Sequence, residues 1–214
     1  MEKKLAERAK RVDPYRTVGS IVRFGRYQQK ANLENSRDQI EWMVLEVQED
    51  KALMISVNAL DSKAYHFQST DITWENCSLR RWLNGFFLEN AFSAKEKQAI
   101  LMTFVDNGAA QGCDPSVSGG NNTRDKLFLL SHAEMVRCFR NDEARKSRAT
   151  GYARARNVEC DREGYARWWL RSPGYGLSFA EQVAPNGSEG YDYVSNEKGA
   201  VRPAFWLDLK SSVL

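Results

Sequence analysis

The side chains that most often perform chemistry in proteins are scattered in this sequence. It contains four cysteines, each more than twenty residues from the next: Cys77, Cys113, Cys138 and Cys160. This spacing fits neither the paired cysteines of a zinc site nor a dense disulfide framework. His66 and His132 stand alone, and neither belongs to a nucleophile motif such as G-x-S-x-G. We therefore expect free thiols, no catalytic residue, no metal site and no cofactor.

The stretch from Arg167 to Leu209 combines tryptophans with glycine-rich turns. In a strand, the rings of Trp168 and Trp169 point to opposite faces, so both faces must be covered or one ring must line a surface. Arg202 is a single cation in an apolar run, and a buried arginine needs an acid or several carbonyls as partners. We expect structural roles for five residues of this stretch: Trp168, Trp169, Arg171, Arg202 and Trp206.

Composition limits the class of protein. The 214 residues are 42% hydrophobic and 11% aromatic, which suffices to bury the core of one globular domain. The net charge of +3 is too close to balance to favour nucleic acid or an anionic membrane as partner. No apolar run reaches the roughly 18 residues of a membrane span, and the first residues lack the apolar segment of a secretory signal. A cytoplasmic location is therefore the default expectation.

The N-terminal third reads as a helix followed by strands. Residues 1–17 predict a helical extension that Pro14 ends, and residues 18–214 predict a single domain. A short strand is expected around Ile21 to Tyr27, and two further strands meet at Glu49-Asp50. Apolar side chains on both faces of the first of these two strands predict a strand that is covered on both sides.

Two capping boxes mark helix starts in the middle of the chain. Ser93 with Glu96, and Ser131 with Glu134, have the spacing at which serine and glutamate satisfy orphan backbone amides. A further helix starts near Ser78, and its apolar residues have the period of one buried face. They are Leu79, Trp82, Leu83, Phe86 and Phe87. The buried run Leu127 to Leu130 predicts a strand that leads into the second capping box.

Two polar segments separate these elements. Residues 105–125 are rich in glycine and asparagine and predict a long, flexible, exposed loop, since no phosphate-binding G-x-x-x-x-G-K-[ST] pattern is present. Residues 137–157 hold seven arginines and lysines with only two acids. This segment predicts a solvated basic helix, because long cationic stems commonly coat a helix surface. Nucleic-acid binding through Arg137 to Arg156 is the less favoured alternative.

Four motifs occur together in an order that resembles a known group of proteins. They are "SLRRWLNGFFLENAFSAKEKQAI", "KLFLLSHAE", "WWLRSPG" and "AVRPAFWLDL". Their order over Val18 to Leu209 resembles an uncharacterised bacterial domain family whose members read W-W-L-R-S-P-G and G-V-R-P-A, with Ala200 here at the glycine position. The terminal pattern also looks like the C-type-lectin-like fold of sulfatase-modifying-factor proteins and of receptor-binding proteins diversified by retroelements.

The resemblance implies an α+β fold of the C-type-lectin-like class, with small antiparallel sheets, two or more flanking helices and a C-terminal region of long loops. It implies that Trp168 to Ser172 and Val201 to Leu207 pair in a small core sheet that holds the loops between them on one face. The copper site of the sulfatase-modifying relatives is not implied, because no cysteine follows Cys160. Lectin-type calcium binding is not expected either, since Asn186 and Asp192 supply too few oxygens.

The loops between these two strands supply the candidate binding residues. Tyrosine, serine, glycine and asparagine are the residues that binding loops favour, although the same types also occur in ordinary turns. The candidates are Tyr175, Ser178, Phe179, Asn186, Tyr191, Asp192, Tyr193 and Asn196. The expected function is a noncatalytic module that binds a protein or glycan ligand, in an oligomeric state that the sequence does not fix. The alternative is an enzyme of unknown reaction with a cleft near Arg171, Glu181, Asp192 and Arg202.

Overall fold

A computed structural model describes residues 13–31 and 37–214. The helix expected over the first eleven residues lies outside this part of the chain, and Asp13–Arg16 forms a 3-10 turn. The strands are β1 (Ile21–Gln28), β2 (Arg37–Gln48), β3 (Lys51–Ser56), β4 (Asp61–Ser62), β5 (Thr103–Val105), β6 (Thr123–Asp125), β7 (Trp168–Pro173), β8 (Phe179–Val183), β9 (Glu189–Tyr193), β10 (Ala200–Val201) and β11 (Ala204–Asp208). The α-helices are α1 (Ser78–Trp82), α2 (Leu88–Ala91), α3 (Ala94–Ala99), α4 (His132–Cys138), α5 (Asp142–Arg145) and α6 (Gly151–Ala155).

The first sheet has the strand order β1-β2-β3-β11 and is antiparallel throughout. The predicted hairpin is confirmed, because β2 and β3 join at Glu49, whose φ of 46° gives the tight turn. Trp42 and Val44 on β2 are fully buried, whereas Met43 on the opposite face is only half-buried. Leu45 is buried as well, and Met43 and Val47 pack partly buried against the core, so the expectation that both faces of this strand are covered is met, less completely on the second face.

Both capping boxes are present as predicted. The Ser93 and Ser131 hydroxyl groups accept from the amides of Glu96 and Glu134, whose carboxylates accept in return from the serine amides. The helical face that begins at Ser78 differs from its prediction, because Phe86 is 59% exposed. Residues Leu83–Phe87 form a π-helical turn. Such a turn holds more residues than an α-helical turn, so it rotates Phe86 away from the buried face.

The second sheet has the order β4-β10-β7-β8-β9. All six residues of β7, including both tryptophans, are buried, so both faces of this strand are covered. The expected pairing of a Val201–Leu207 strand with β7 holds only at its start, where Val201 belongs to β10, and is wrong for the rest. The chain leaves β10, which pairs with β7 through Ala200 and Trp168, and enters β11, which pairs with β3 in the first sheet. Pro203 lies at the change of sheet, where it has no amide to donate.

Two middle segments also differ from their predictions. Residues 105–125 are not simply an exposed loop, because they contain parts of β5 and β6 and the buried side chains of Asn107, Thr123 and Asp125. The basic segment 137–157 is not one helix. It spans the end of α4, then α5 and α6, with irregular backbone between them. Leu127–Leu130 is a buried extended segment with a single β-bridge at Phe128 rather than a strand.

The described residues thus form an α+β fold of short helices and sheets that are antiparallel except for the parallel pair β10 and β7. The aromatic core lies against the first sheet, where the ring of Trp42 meets the rings of Phe92 and Phe205. Within the described ranges, no helix is both long enough and apolar enough to cross a membrane.

Candidate functional site

Four of the eight predicted binding residues lie together on the surface. We call Tyr175, Phe179, Tyr191 and Tyr193 the aromatic patch. The ring centroids of Phe179 lie 4.4 Å from those of both Tyr175 and Tyr193, and the Tyr191 ring stands edge-on, 4.7 Å from Tyr175. The three tyrosines are 56%, 51% and 56% exposed in chain order. The patch is therefore a contiguous aromatic surface in contact with solvent.

The β8–β9 hairpin and the turn before it assemble the patch. Phe179 pairs with Tyr193, and Glu181 pairs with Tyr191, so these side chains share one face of the sheet. Residues 174–178 fold back onto that face through hydrogen bonds between Gly174 and Phe179 and between Phe179 and Gly176. A Cβ at Gly174 would lie 2.9 Å from Cβ of Phe179 and 3.1 Å from Cβ of Tyr191. Glycine at this position therefore allows Tyr175 to reach the patch.

The polar candidates do not join the patch. Asp192 lies between the two tyrosines on β9, so its side chain belongs to the opposite face, where it accepts from Nδ2 of Asn196 at 2.6 Å. Asn186 closes the β8–β9 turn by accepting from the amide and hydroxyl of Ser188. The hydrogen bond of Ser178 to Val194 uses its backbone carbonyl, not its side chain. These residues shape the turns beside the patch.

The five residues expected to have structural roles occupy different environments. Trp168 and Trp169 are fully buried, and their ring nitrogens donate to the carbonyls of Arg145 and Lys63. Arg202 is 1% exposed; it donates to the carbonyls of Ser56 and Arg145 and lies over the ring of Trp168. Burial lowers the pKa of this guanidinium to about 9. Trp206 is half-buried, with the Lys51 ammonium over its ring.

Arg171 is bound to Glu134 rather than to the sheet residues near it in sequence. Its guanidinium forms two contacts with the Glu134 carboxylate and also donates to Asn107 and to backbone carbonyls. Burial alone would raise the pKa of Glu134, but the charge and hydrogen bonds of Arg171 outweigh it and hold that pKa below its ordinary value. Glu134 also closes the capping box, so this ion pair fixes the start of α4 against β7.

Sequence reasoning missed a cluster beside the patch. We call Cys113, His132 and Glu181 the Cys–His–Glu cluster. Nδ1 of His132 lies 2.9 Å from one carboxylate oxygen of Glu181, and the amide of Cys113 donates to the other at 2.8 Å. Glu181 is buried, His132 is half-buried and Cys113 is exposed. The three residues come from distant parts of the chain, so no spacing rule could have found them.

The electrostatics of the cluster disfavour cysteine catalysis. Burial and the neighbouring Glu181 carboxylate raise the pKa of the Cys113 thiol to about 11. The hydrogen bond to Glu181 raises the pKa of His132, although burial partly opposes this shift. A reactive cysteine requires a thiolate in electropositive surroundings. The neutral thiol of Cys113 beside a carboxylate is the opposite arrangement.

The residues of the alternative, enzymatic interpretation have separate partners. Arg171 binds Glu134, Glu181 binds His132, Asp192 binds Asn196, and Arg202 binds backbone carbonyls. A catalytic cleft requires its titratable groups to converge on one cavity. These four side chains do not share a partner in the described structure.

A concavity outside the predicted site has a volume of about 390 Å³. Its lining includes Lys63, Phe67, Trp82, Arg156 and Glu197. The Lys63 ammonium lies over the Trp82 ring, 4.6 Å from the ring centroid. Burial lowers the pKa of Lys63, although Asp61 opposes this shift. Phe67 is 64% exposed at this concavity, which makes it a second surface with aromatic and cationic groups.

Comparison with known proteins gives one match. The model of a protein family described as "Domain of unknown function (DUF6273)" matches residues 49–209. This range includes β3 to β11, the aromatic patch and the Cys–His–Glu cluster. Neither the curated proteins nor the solved structures contain a match to this chain.

Proposed function

The chain belongs to the DUF6273 family of domains of unknown function, and we propose that it is a noncatalytic binding module that holds a protein ligand on its aromatic patch. The observation that carries the proposal is the contact of four aromatic rings on a solvent-exposed surface, three of them tyrosines more than half exposed. Tyrosine is enriched in binding surfaces, because its ring gives a large contact area at low entropic cost and its hydroxyl stays hydrated at the rim.

The arrangement of the rings favours a protein over a glycan. Tyr175, Phe179 and Tyr193 lie in a row with interplanar angles of 32° and 34°, so each ring covers part of its neighbour's face. Tyr191 stands at 83° to both Tyr175 and Phe179. A sugar ring stacks on an open aromatic face, whereas side chains of a protein pack equally well on ring edges. The mutual covering of the ring faces in this row therefore favours a protein ligand.

The backbone of β9 adds a second feature that suits a protein ligand. This strand is at the end of the second sheet, with β8 on one side and no other strand of the described residues beyond it. An edge strand presents unpaired amides and carbonyls, with which an extended peptide can form main-chain hydrogen bonds. Tyr191 and Tyr193 project from the same strand. A bound peptide would therefore find both main-chain partners and aromatic side chains.

We also propose that this scaffold is C-type-lectin-like. The resemblance of the tryptophan strand and the terminal "VRPAFW" segment supports it, as does a pair of sheets with loops between β7 and β10. The β8–β9 hairpin and the turn before it, which carry the patch, would then correspond to the ligand-binding region of that class. A solved structure of another member of the family whose strand connections differ from those of that class would contradict this part of the proposal.

Selection from a random peptide display library tests the proposed function. The wild-type domain is the bait, and selected peptides are titrated against it by calorimetry. Replacing Tyr175, Tyr191 and Tyr193 together by alanine should weaken binding of these peptides at least tenfold, because several kcal/mol of binding energy usually reside in a few aromatic residues. Circular dichroism of the triple variant and of the wild type verifies that the fold is unchanged.

A matched control replaces exposed aromatic residues elsewhere. The triple variant Phe67→Ala, Phe86→Ala, Phe104→Ala removes three side chains that are 59% to 64% exposed, and it should bind the selected peptides as tightly as the wild type. A glycan array is the second arm of the experiment. Glycan binding that depends on the three tyrosines would identify a glycan-binding module instead. Peptide binding that survives loss of the tyrosines would reject the patch as the site.

A further inference from the structure

We propose that Cys113, His132 and Glu181 form a binding site for one divalent transition-metal ion, with zinc as the metal that fits their chemistry best. Each residue offers one ligand atom, and these three atoms all lie within 4.8 Å of one another. They come from three separate elements, namely the loop after β5, the first residue of α4 and the middle of β8. The site is additional to the proposed ligand surface and does not depend on it.

The types of donor atom select the metal. The cluster offers one sulfur, one imidazole nitrogen and one carboxylate oxygen, a mixed set that suits zinc and related divalent ions. Calcium and magnesium prefer six or more oxygen ligands, which this cluster lacks. Three protein ligands also leave the fourth position of a tetrahedral zinc ion for water or another molecule. The site therefore fits a transition metal with one open position.

Metal coordination requires only small shifts of the three donor atoms. With ordinary zinc bond lengths, tetrahedral coordination places such donor atoms about 3.3 to 3.6 Å apart. Nδ1 of His132 and the nearer oxygen of Glu181 are 2.9 Å apart, so these two atoms would separate by about 0.4 Å. A metal ion would take the position of the proton that these two atoms share. The thiol of Cys113 lies within the stated 4.8 Å, so the loop that carries it needs to move by about 1 Å.

The surrounding structure holds two of the ligands in place. Glu181 is 2% exposed, and its second oxygen accepts from the amide of Cys113. The backbone amide of His132 donates to the hydroxyl of Ser172 at 3.0 Å. The capping box and the Arg171–Glu134 ion pair fix the start of α4. Such outer contacts orient metal ligands and strengthen binding.

The burial of Glu181 also favours a cation. The Glu181 carboxylate is almost completely buried, and Glu189 Oε2 lies 4.0 Å from Nε2 of His132. Two carboxylates therefore flank one imidazole, and Arg145 pairs with the outer carboxylate at 3.0 Å. A dication bound by Glu181, His132 and Cys113, whose thiol would release its proton to solvent on binding, would balance the negative charge of the carboxylate and the thiolate. Exposure of Cys113 leaves the site accessible from solvent.

Metal titration of the full chain tests the proposal. The reduced protein is freed of metal with a chelator and titrated with Zn²⁺ and, separately, with Co²⁺. We expect one equivalent of either ion to bind, and Co²⁺ to show a thiolate-to-metal charge-transfer absorption. Cys113→Ser should abolish this absorption and weaken Zn²⁺ binding at least about 100-fold, since loss of an outer contact alone costs 10- to 100-fold. Because Cys113 is exposed, Cys113→Ser should keep the wild-type fold, which circular dichroism verifies.

Cys160→Ser is the matched control, because Cys160 is another free, partly exposed cysteine outside the cluster. It should retain the absorption and the wild-type affinity for Zn²⁺. The proposal is overturned if the wild type binds neither ion at one equivalent. It is also overturned if Cys113→Ser binds Zn²⁺ as tightly as the wild type. Loss of Zn²⁺ binding in Cys160→Ser as large as that in Cys113→Ser would overturn it as well.

Discussion

At the scale of single residues, Asp61 shows how this domain holds a buried charge. Its side chain is 2% exposed and accepts from the hydroxyl of Tyr27 and the amide of Ser62, both at 2.8 Å. Nε of Arg156 lies 3.2 Å away. Burial raises the pKa of Asp61, and Lys63 and the three groups named above oppose the shift without cancelling it. The pKa of Asp61 is therefore higher in the folded protein than in the unfolded chain.

This raised pKa predicts the sign of a pH effect. Below the unfolded value, about 3.9, Asp61 is protonated in both states, and its stabilising contribution is fully present. That contribution is lost as the pH rises through the higher pKa of the folded state. The unfolding free energy of the wild type should therefore fall relative to that of Asp61→Asn, by up to about 1.4 kcal/mol per pH unit. Urea unfolding of both proteins between pH 3 and 7 measures this difference.

Asp71→Asn is the control for this comparison, because Asp71 is an exposed aspartate. Its unfolding free energy should follow that of the wild type across the same pH range. The prediction is contradicted if the difference in unfolding free energy between the wild type and Asp61→Asn stays constant with pH. It is also contradicted if the wild type becomes more stable relative to Asp61→Asn as the pH rises. Either result would show that the contact with Arg156 outweighs burial.

At the scale of elements, the sequence predicts local structure better than the path of the chain. The capping boxes at Ser93 and Ser131 are confirmed, because they depend on residues only three positions apart. The strand expected from Val201 to Leu207 is divided between two sheets, because strand pairing depends on distant partners. The Cys–His–Glu cluster was missed for the same reason. The members of the aromatic patch could be predicted as binding residues, because they lie within nineteen residues of sequence.

The β8–β9 turn shows how local and distant effects combine. Its Asn-Gly pair predicts a turn, and Gly187 has the positive φ of 89° that favours glycine. The sequence does not reveal that a Cβ at Gly187 would lie 1.8 Å from the backbone oxygen of Asp142. Both the backbone strain and the contact with α5 require glycine at this position. The turn thus anchors the hairpin that carries the patch.

Substitution of Gly187 should therefore destabilise the fold. Gly187→Ala is expected to lower the unfolding free energy by about 2 kcal/mol or more, from strain at positive φ together with overpacking against Asp142. Chemical denaturation measures the change. Gly176→Ala is the matched control, because a Cβ there meets no atom within 4 Å, and it should change stability by less than about 0.5 kcal/mol. Equal stability of the two variants would contradict the described packing of the turn.

At the scale of the whole molecule, the segment Ala200–Asp208 joins the two sheets. β10 belongs to the second sheet and β11 to the first, and Arg202 between them is buried against Ser56 and Trp168. Unfolding either sheet would expose this arginine and break the pairing of the adjoining strand. The two sheets are therefore expected to depend on each other for stability.

This dependence predicts one unfolding transition for residues 18–214. Urea titrations followed by tryptophan fluorescence and by far-ultraviolet circular dichroism should give the same midpoint, as two-state unfolding requires. Tryptophans occur in both sheets, at Trp42 and Trp206 in the first and at Trp168 and Trp169 in the second. Two separated midpoints would show that the sheets are independent units.

Hydrogen exchange of the domain with and without a selected peptide tests most directly whether the aromatic patch is the ligand surface. Binding should slow amide exchange in Glu189–Tyr193 and in residues 174–179, because the peptide covers the patch and pairs with the free edge of β9. The regions around Lys63 and Trp82 should exchange at unchanged rates. Protection confined to that concavity, with none in β9, would contradict the proposed function.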